Sequence, residues 1–419
     1  MLERYFIRPE TIDRIRASWL GDPIEKYVIW LDERDYSPRN IWRRVPLLMH
    51  FGDFAQSRGC SLLDDLPALV EPFAEQWMVE HGRNCKTEAA LSKVGNEARG
   101  PVRQMLTLIL PSYSSRPDRK DPFSDSVPGF FLYLRDERGL RDATIKQYRY
   151  NLQLLALYLK KIKVDSLSEL SPLILSGFIT NRGQFVGKRT LGILCAVLRT
   201  FLLYLHCHRL TATDLSRTIE YPKTYRLSEI PRSITWDEVR RMLRTIDRRS
   251  TIGKRDYAII LLLVTYGLRA REVAALTLDD IDWKRERFYV PERKAGHSTA
   301  YPLSPVVGEA ILDYLQQGRP KTTDRHIFFR VPAPHTPMSW SSVSMRAGRY
   351  LRKAGIPVPR PGSHTLRHTC IQRLVDVGFD LKTIGDYVGH RSPSSTEVYT
   401  KVAVETLREV ALGDGEEVL

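Results

Sequence analysis

The sequence predicts a mainly α protein with a small β-sheet in the C-terminal domain. Three observations predict it. Apolar residues recur at helical spacing through most of the 419 residues. Two short runs, 287–291 and 299–303, read instead as strands, and the turn between them holds Lys294-Ala295-Gly296-His297. Pro-, Ser- and charge-rich stretches at 111–126 and 220–233 look like linkers and cut the chain into three segments.

The first two segments read as copies of one helical unit. Val28-Ile29-Trp30-Leu31-Asp32-Glu33-Arg34 aligns with Leu132-Tyr133-Leu134-Arg135-Asp136-Glu137-Arg138, an offset of 138 − 34 = 104. At that offset Ile41 meets Ile145, Leu48 meets Leu152 and Phe54 meets Tyr158, and Leu63, Leu66 and Leu69 meet Leu167, Leu170 and Leu173. The matches fall mostly on apolar positions at helical spacing, the pattern that duplication leaves; chance agreement between two amphipathic helix pairs is the alternative. In the second copy a helix is expected over 143–160, another beginning at Leu167, and a third over the apolar run 191–204. Thr144, Lys146, Arg149, Lys188 and Arg189 lie near helix starts there. They are candidates to grip a polyanion backbone, although charged helix faces are commonly just solvated.

The third segment opens on Thr235-Trp236-Asp237-Glu238, a capping box that starts a helix. Helices are expected over 235–246, 254–266 and 270–276, then the two strands, then helices over 306–316, 339–353, 365–377, 380–388 and 394–399. The expected domains are 1–112, 124–220 and 233–412, with an acidic tail at 413–419. Three domains suit the length.

Net charge is +15 and the pI about 9.6, which favours a polyanionic partner. No apolar run reaches the roughly 18 residues that read as a membrane span, and the N-terminus shows no signal-peptide core. The five cysteines, Cys60, Cys85, Cys195, Cys207 and Cys370, lack paired spacing and read as free thiols in a reducing compartment, with Cys195 in a helix core.

Six residues of the C-terminal third form the most informative set: Arg269, Lys294, His364, Arg367, His390 and Tyr399. No carboxylate cluster for a metal and no glycine-rich nucleotide loop accompanies them. Cations, proton carriers and one phenol suit attack on a phosphodiester by a protein nucleophile. Each has a bland reading. Arg269 pairs plausibly with Glu272 in a helix, Lys294 beside Arg293 is the kind of residue that is often just solvated, and His364 and His368 stand at zinc-ligand spacing but lack a third ligand. Tyr387, in an apolar helical context, reads as core, and His297 and His335 as exposed.

Taken together, these motifs resemble the tyrosine recombinase family, also called phage-integrase-like recombinases. The family's Thr-Gly-Leu-Arg-x-x-Glu is approached by Thr265-Tyr266-Gly267-Leu268-Arg269-Ala270-Arg271-Glu272, with a Tyr ahead of the Gly as the departure. Lys294 precedes Pro302-Leu303 by the family's interval, His364-Thr365-Leu366-Arg367 is its His-x-x-Arg box, and Val388-Gly389-His390 leads to Tyr399, with Val in place of Leu. A lone His-x-x-Arg is weak; the ordered set is specific. The resemblance covers roughly residues 125–412. It implies a tyrosine recombinase catalytic fold preceded by two SAM-like helical domains, of which 124–220 is the core-binding domain; the extra N-terminal copy departs from the simplest members.

The resemblance implies the roles as well. Arg269 and Arg367 would hold the nonbridging oxygens, Tyr399 would be the nucleophile, His364 the proton acceptor, His390 a donor to the phosphate, Lys294 the acid for the departing 5′ oxygen, and Glu272 an orienting partner of Arg269. It implies a site-specific recombinase that acts through a 3′-phosphotyrosine and a Holliday junction, needs no cofactor or metal, and integrates, excises or transposes a mobile element. The implied partners are duplex DNA, three further copies joined by exchange of the helix carrying Val402, Val404, Leu407, Val410 and Leu412, and accessory proteins or partner recombinases. The implied setting is cytoplasmic and nucleoid-associated, in a bacterial or phage context. The alternatives are a type IB topoisomerase-like DNA-relaxing enzyme and a non-catalytic DNA-binding accessory protein.

Overall fold

The computed structural model describes residues 1–114, 120–223, 233–291 and 299–389. The chain divides into two compact units, Met1–Tyr113 with Glu229–Leu419, and Ser114–Ser228. Among the described residues, the first unit contains two large hydrophobic cores and a small cluster of Ile371, Ile384 and Val388, and the second unit contains one core.

The N-terminal segment folds as α1 (Pro9–Ala17), α2 (Gly21–Asp32), α3 (Pro38–Ser57), α4 (Leu66–His81) and α5 (Glu88–Ile109). Its core gathers Ile24, Tyr27, Leu48, Phe51, Phe73 and Met105, all 2% exposed or less. Ala333, from the C-terminal segment, packs against it, in keeping with the shared compact unit.

The second unit comprises a short α6 (Phe130–Leu132) continued by a π turn, then α7 (Asp142–Lys161), α8 (Pro172–Gly183) and α9 (Lys188–Cys207) around Phe130, Leu152, Phe178 and Phe201. Two expectations change here. The helix expected at Leu167 is a 3-10 turn, Leu167–Glu169, closed by a Ser166 capping box. The following α-helix begins at Pro172, where Ser171 caps and proline, lacking an N–H, suits the first position. Second, α9 is long and apolar enough to cross a membrane by length and composition. Its apolar residues Leu194, Leu198, Phe201 and Leu205 instead line this small core.

The C-terminal segment runs α10 (Trp236–Arg244), α11 (Thr251–Tyr266), α12 (Ala270–Ala275), β1 (Ile281–Asp282), β2 (Arg287–Val290), β3 (Thr299–Pro302), α13 (Pro305–Gln317), α14 (Trp340–Lys353), α15 (Ser363–Asp376) and α16 (Leu381–Val388). α11 is buried nearly all round, which is why its apolar run Ala258–Val264 has no polar face. The three strands form an antiparallel sheet in the order β1-β2-β3, with Phe288 opposite Tyr301 and Val290 opposite Thr299. β1 is a two-residue addition to the two expected strands, too short to leave an alternating pattern.

Near the start of α11, Arg255 and Asp256 are 1% and 0% exposed. Arg255 donates from Nε (2.9 Å) and Nη2 (2.7 Å) to Asp256 Oδ1 and from Nη1 to the Phe329 carbonyl (2.9 Å); the Tyr350 hydroxyl donates to Asp256 Oδ2 (3.0 Å). The hairpin turn with Lys294, the segment with His390 and Tyr399, the expected helix 394–399, the apolar stripe after it and the acidic tail lie outside the described residues.

Candidate active site

Two left-handed glycines shape the site. α11 ends on Gly267 at φ +60° and α16 ends on Gly389 at φ +66°. A side chain at Gly267 would be strained by that backbone and would also come within 3.2 Å of Cys370 Sγ and 3.3 Å of Val388 Cγ1. Each turn aims carbonyl oxygens inward, and the arginines gather them.

Arg367, on α15, is 4% exposed. It donates from Nη1 to the Gly267 carbonyl (2.5 Å) and from Nη2 to the Val388 carbonyl (2.6 Å). Arg269, at the N-cap of α12, donates from Nη2 to the Gly389 carbonyl (2.7 Å). Glu272 takes both ends of Arg269: its carboxylate accepts the Arg269 amide (2.8 Å) and the guanidinium Nη1 (2.8 Å). A carboxylate that fixes the backbone and side chain of one arginine sets the direction of the remaining fork. The arginines therefore bind the Gly267 turn to the residues immediately ahead of His390.

His364 stands one turn before Arg367 on α15. Its side chain keeps an open edge. The protein packed around the ring, followed by the charges of Arg367 and Arg269, holds the imidazole below the ordinary histidine range. It is therefore neutral at physiological pH and able to accept a proton. Its ring centroid lies 6.5 Å from that of His368, and among the described residues no group of three His, Cys, Asp or Glu converges as a metal site. Behind the site, the buried Cys370 thiol, pushed up to about 12 by burial, donates to the Thr265 carbonyl (3.4 Å). It is packing and not a nucleophile.

The structure thus brings Arg269, Glu272, His364 and Arg367 together. It also brings the strands flanking Lys294, and the glycine preceding His390, to the same end of the segment through contacts that the sequence did not reveal. Tyr266 and Tyr301 bridge these parts by hydroxyl contacts spanning 36 to 86 residues. In the second unit Thr144, Lys146, Lys188 and Arg189 are exposed at the first turns of α7 and α9, while Arg149 is half-buried, paired with Asp121 and lying 5.3 Å from the Phe131 ring centroid.

The profile described as "Phage integrase family" matches residues 232–406, and "Phage integrase, N-terminal SAM-like domain" matches 127–208. The integrase/recombinase y4rA of Sinorhizobium fredii is 31% identical over 404 residues, 93% of this chain and 94% of that one. This chain belongs to the phage integrase family of tyrosine recombinases. Members of this family are enzymes of site-specific DNA recombination, which cut and rejoin DNA. Tyrosine recombinase XerD of Proteus mirabilis is 31% identical over 280 residues, 65% of this recombinase and 87% of XerD. Among solved structures, XerH recombinase bound to a palindromic difH substrate has the same fold with a TM-score of 0.54 at 15% identity, covering 82% of this chain and 94% of that one. A lambda integrase dimer bound to a core site gives 0.52 at 17% identity, covering 64% and 74%.

Proposed function

We propose that the phosphodiester is cut at the Arg269–His364–Arg367 site, with Tyr399 as the nucleophile. The observation that carries this reading is the convergence of both guanidiniums on the carbonyls of Val388 and Gly389, directly ahead of His390. Guanidinium forks of fixed direction match the geometry of nonbridging oxygens and suit charge that grows in the transition state. The Tyr399 oxygen attacks phosphorus and its proton passes to neutral His364. The bond to the 5′ oxygen breaks, and Lys294 supplies the proton that this oxygen needs. His390 donates to the phosphate. The ester formed conserves the energy of the broken linkage, so religation is the reverse step and needs no nucleotide.

Four copies act on two duplexes by way of a Holliday junction, exchanging the C-terminal segment that carries Val402, Val404, Leu407, Val410 and Leu412. The neighbours that include a lambda integrase tetramer bound to a Holliday junction support this assembly. The substrate ends belong to a mobile element, and the enzyme works on nucleoid DNA in the cytoplasm.

The domain reading is also ours: 1–112 duplicates the core-binding domain 124–220. α3 and α7, at 38–57 and 142–161, coincide at the offset of 104, as do the 3-10 turns Leu63–Asp65 and Leu167–Glu169. So do the left-handed residues Asp35 with Gly139 and Gly59 with Lys163. Yet the charges differ. Residues 1–112 hold 15 Lys and Arg against 16 Asp and Glu, net 15 − 16 = −1. Residues 113–223 hold 18 against 10, net 18 − 10 = +8. The first copy also spends its cations internally, in Arg4–Asp32, Arg16–Glu3, Arg99–Glu71 and Arg103–Glu71. Lys146, Lys188 and Arg189 make no ion pair among the described residues. The second copy therefore grips DNA, and the first serves protein contacts.

The decisive experiment traps the covalent intermediate on a nicked suicide duplex carrying the element's own ends and maps the attached peptide. The peptide containing Tyr399 is the expected product, and Tyr399→Phe yields none. Adducts that persist in that variant place the nucleophile elsewhere.

A further inference from the structure

Beyond β1, β2 and β3 pair as a two-stranded ribbon through Val290 and Thr299, ahead of the segment that carries Lys294 in the sequence, and such a ribbon is marginal unless something holds it. Three tyrosines hold it. Tyr266 is the last residue of α11, directly ahead of Gly267-Leu268-Arg269. Its hydroxyl donates to the Pro302 carbonyl (2.9 Å) and accepts the Ser304 amide (2.8 Å), which fixes the chain as it leaves β3. Its ring lies 4.8 Å from Phe288 and 5.5 Å from Tyr301. Tyr301, stacked on Phe288 at 5.3 Å, donates to the Tyr387 carbonyl two residues before Gly389. Tyr387 meets the Tyr301 ring edge-on at 5.2 Å and donates to the Thr265 carbonyl (3.4 Å). Burial raises Tyr266 above the ordinary phenol range, so it stays a donor at any working pH.

The Arg269 turn, the Lys294 hairpin and the helix end leading to His390 therefore meet on three hydroxyls. We infer that Tyr266 and Tyr301 are positioning residues that hold the lysine hairpin in register with the arginine site, so that the acid reaches the departing 5′ oxygen. The inference rests on the reading of Lys294 as that acid, and it gives a function to the tyrosine that stands ahead of Gly267.

The test compares two substrates in single-turnover cleavage by the full-length protein. In one the scissile linkage is natural. In the other the bridging 5′ oxygen is sulfur, so that the phosphorus–sulfur bond breaks and a thiolate leaves without a proton. Tyr266→Phe and Tyr301→Phe each keep the ring and remove the hydroxyl. Each is expected to slow the natural substrate about 10–100-fold, part of the 10²–10⁴ that acid catalysis supplies, and to cut the sulfur substrate within about twofold of wild type. Equal loss on both substrates, no loss on either, or a variant that no longer folds assigns the hydroxyls to stability alone and overturns the inference. Lys294→Ala is the control. If sulfur fails to rescue Lys294→Ala, it is the assignment of the acid that falls.

Discussion

At the scale of single residues, the site sets protonation and direction together. His364 is partly desolvated and feels the charges of Arg367 and Arg269, so its folded-state pKa falls below the unfolded value of about 6.5. The sign follows from that direction. The neutral form is favoured, so stability from this group is present above the unfolded pKa and is lost as pH falls through the folded one. A proton acceptor must also be neutral to work. With DNA well below saturation, the acid limb of the cleavage rate should have its midpoint below pH about 6.5, and His364→Gln should remove that limb. At saturating DNA the bound phosphate offsets the arginine charges and should move the limb to higher pH. A midpoint above 6.5 in the subsaturating profile would contradict the role. The candidate set Arg269, Lys294, His364, Arg367, His390 and Tyr399 was legible at this scale because each motif is local, and of it the described residues bring Arg269, His364 and Arg367 together. The Tyr266 and Tyr301 contacts were not, because a tyrosine in an apolar helix or strand looks like packing until its distant partner is known.

At the scale of elements, capping and apolar period placed α7, α9 and the described helices of the C-terminal segment within a few residues. The Thr235 capping box starts α10 as the sequence implies, with Thr235 Oγ1 accepting the Glu238 amide (3.3 Å) and Glu238 accepting the Thr235 amide (2.9 Å). The element that sequence reading passed over is the polar knot inside the α11 core. Arg255 and Asp256 are adjacent charged residues, which ordinarily mark a solvated face. Here α11 is buried nearly all round, and the pair is sustained by hydrogen bonds to Phe329 and Tyr350 and by the Arg346 guanidinium 3.9 Å from Asp256. Asp256→Ala strands a buried guanidinium and should cost about 3–5 kcal/mol in urea unfolding of the full chain. A loss under about 1 kcal/mol would show that water reaches Arg255.

At the scale of the whole molecule, the two helical segments proposed as copies differ in charge, and binding electrostatics can separate them. Each phosphate neutralised contributes about −0.9 to the slope of log affinity against log salt. Replacing Lys146, Lys188 and Arg189 together by Ala should flatten that slope by roughly 2–3. Removing residues 1–112 should leave it unchanged, because that segment brings a net charge of −1. A flatter slope in the truncated protein would assign the first copy to DNA. The sequence by itself determined the mainly helical architecture and the order of the family's motifs, because apolar period, caps and glycine turns act over a few residues. Tertiary structure alone decided which carbonyls the arginines hold, how the lysine hairpin is tied to the Gly267 turn, and that a charged pair sits in the core. Those contacts join positions 21 to 120 residues apart, and only the packed chain brings them within hydrogen-bonding distance.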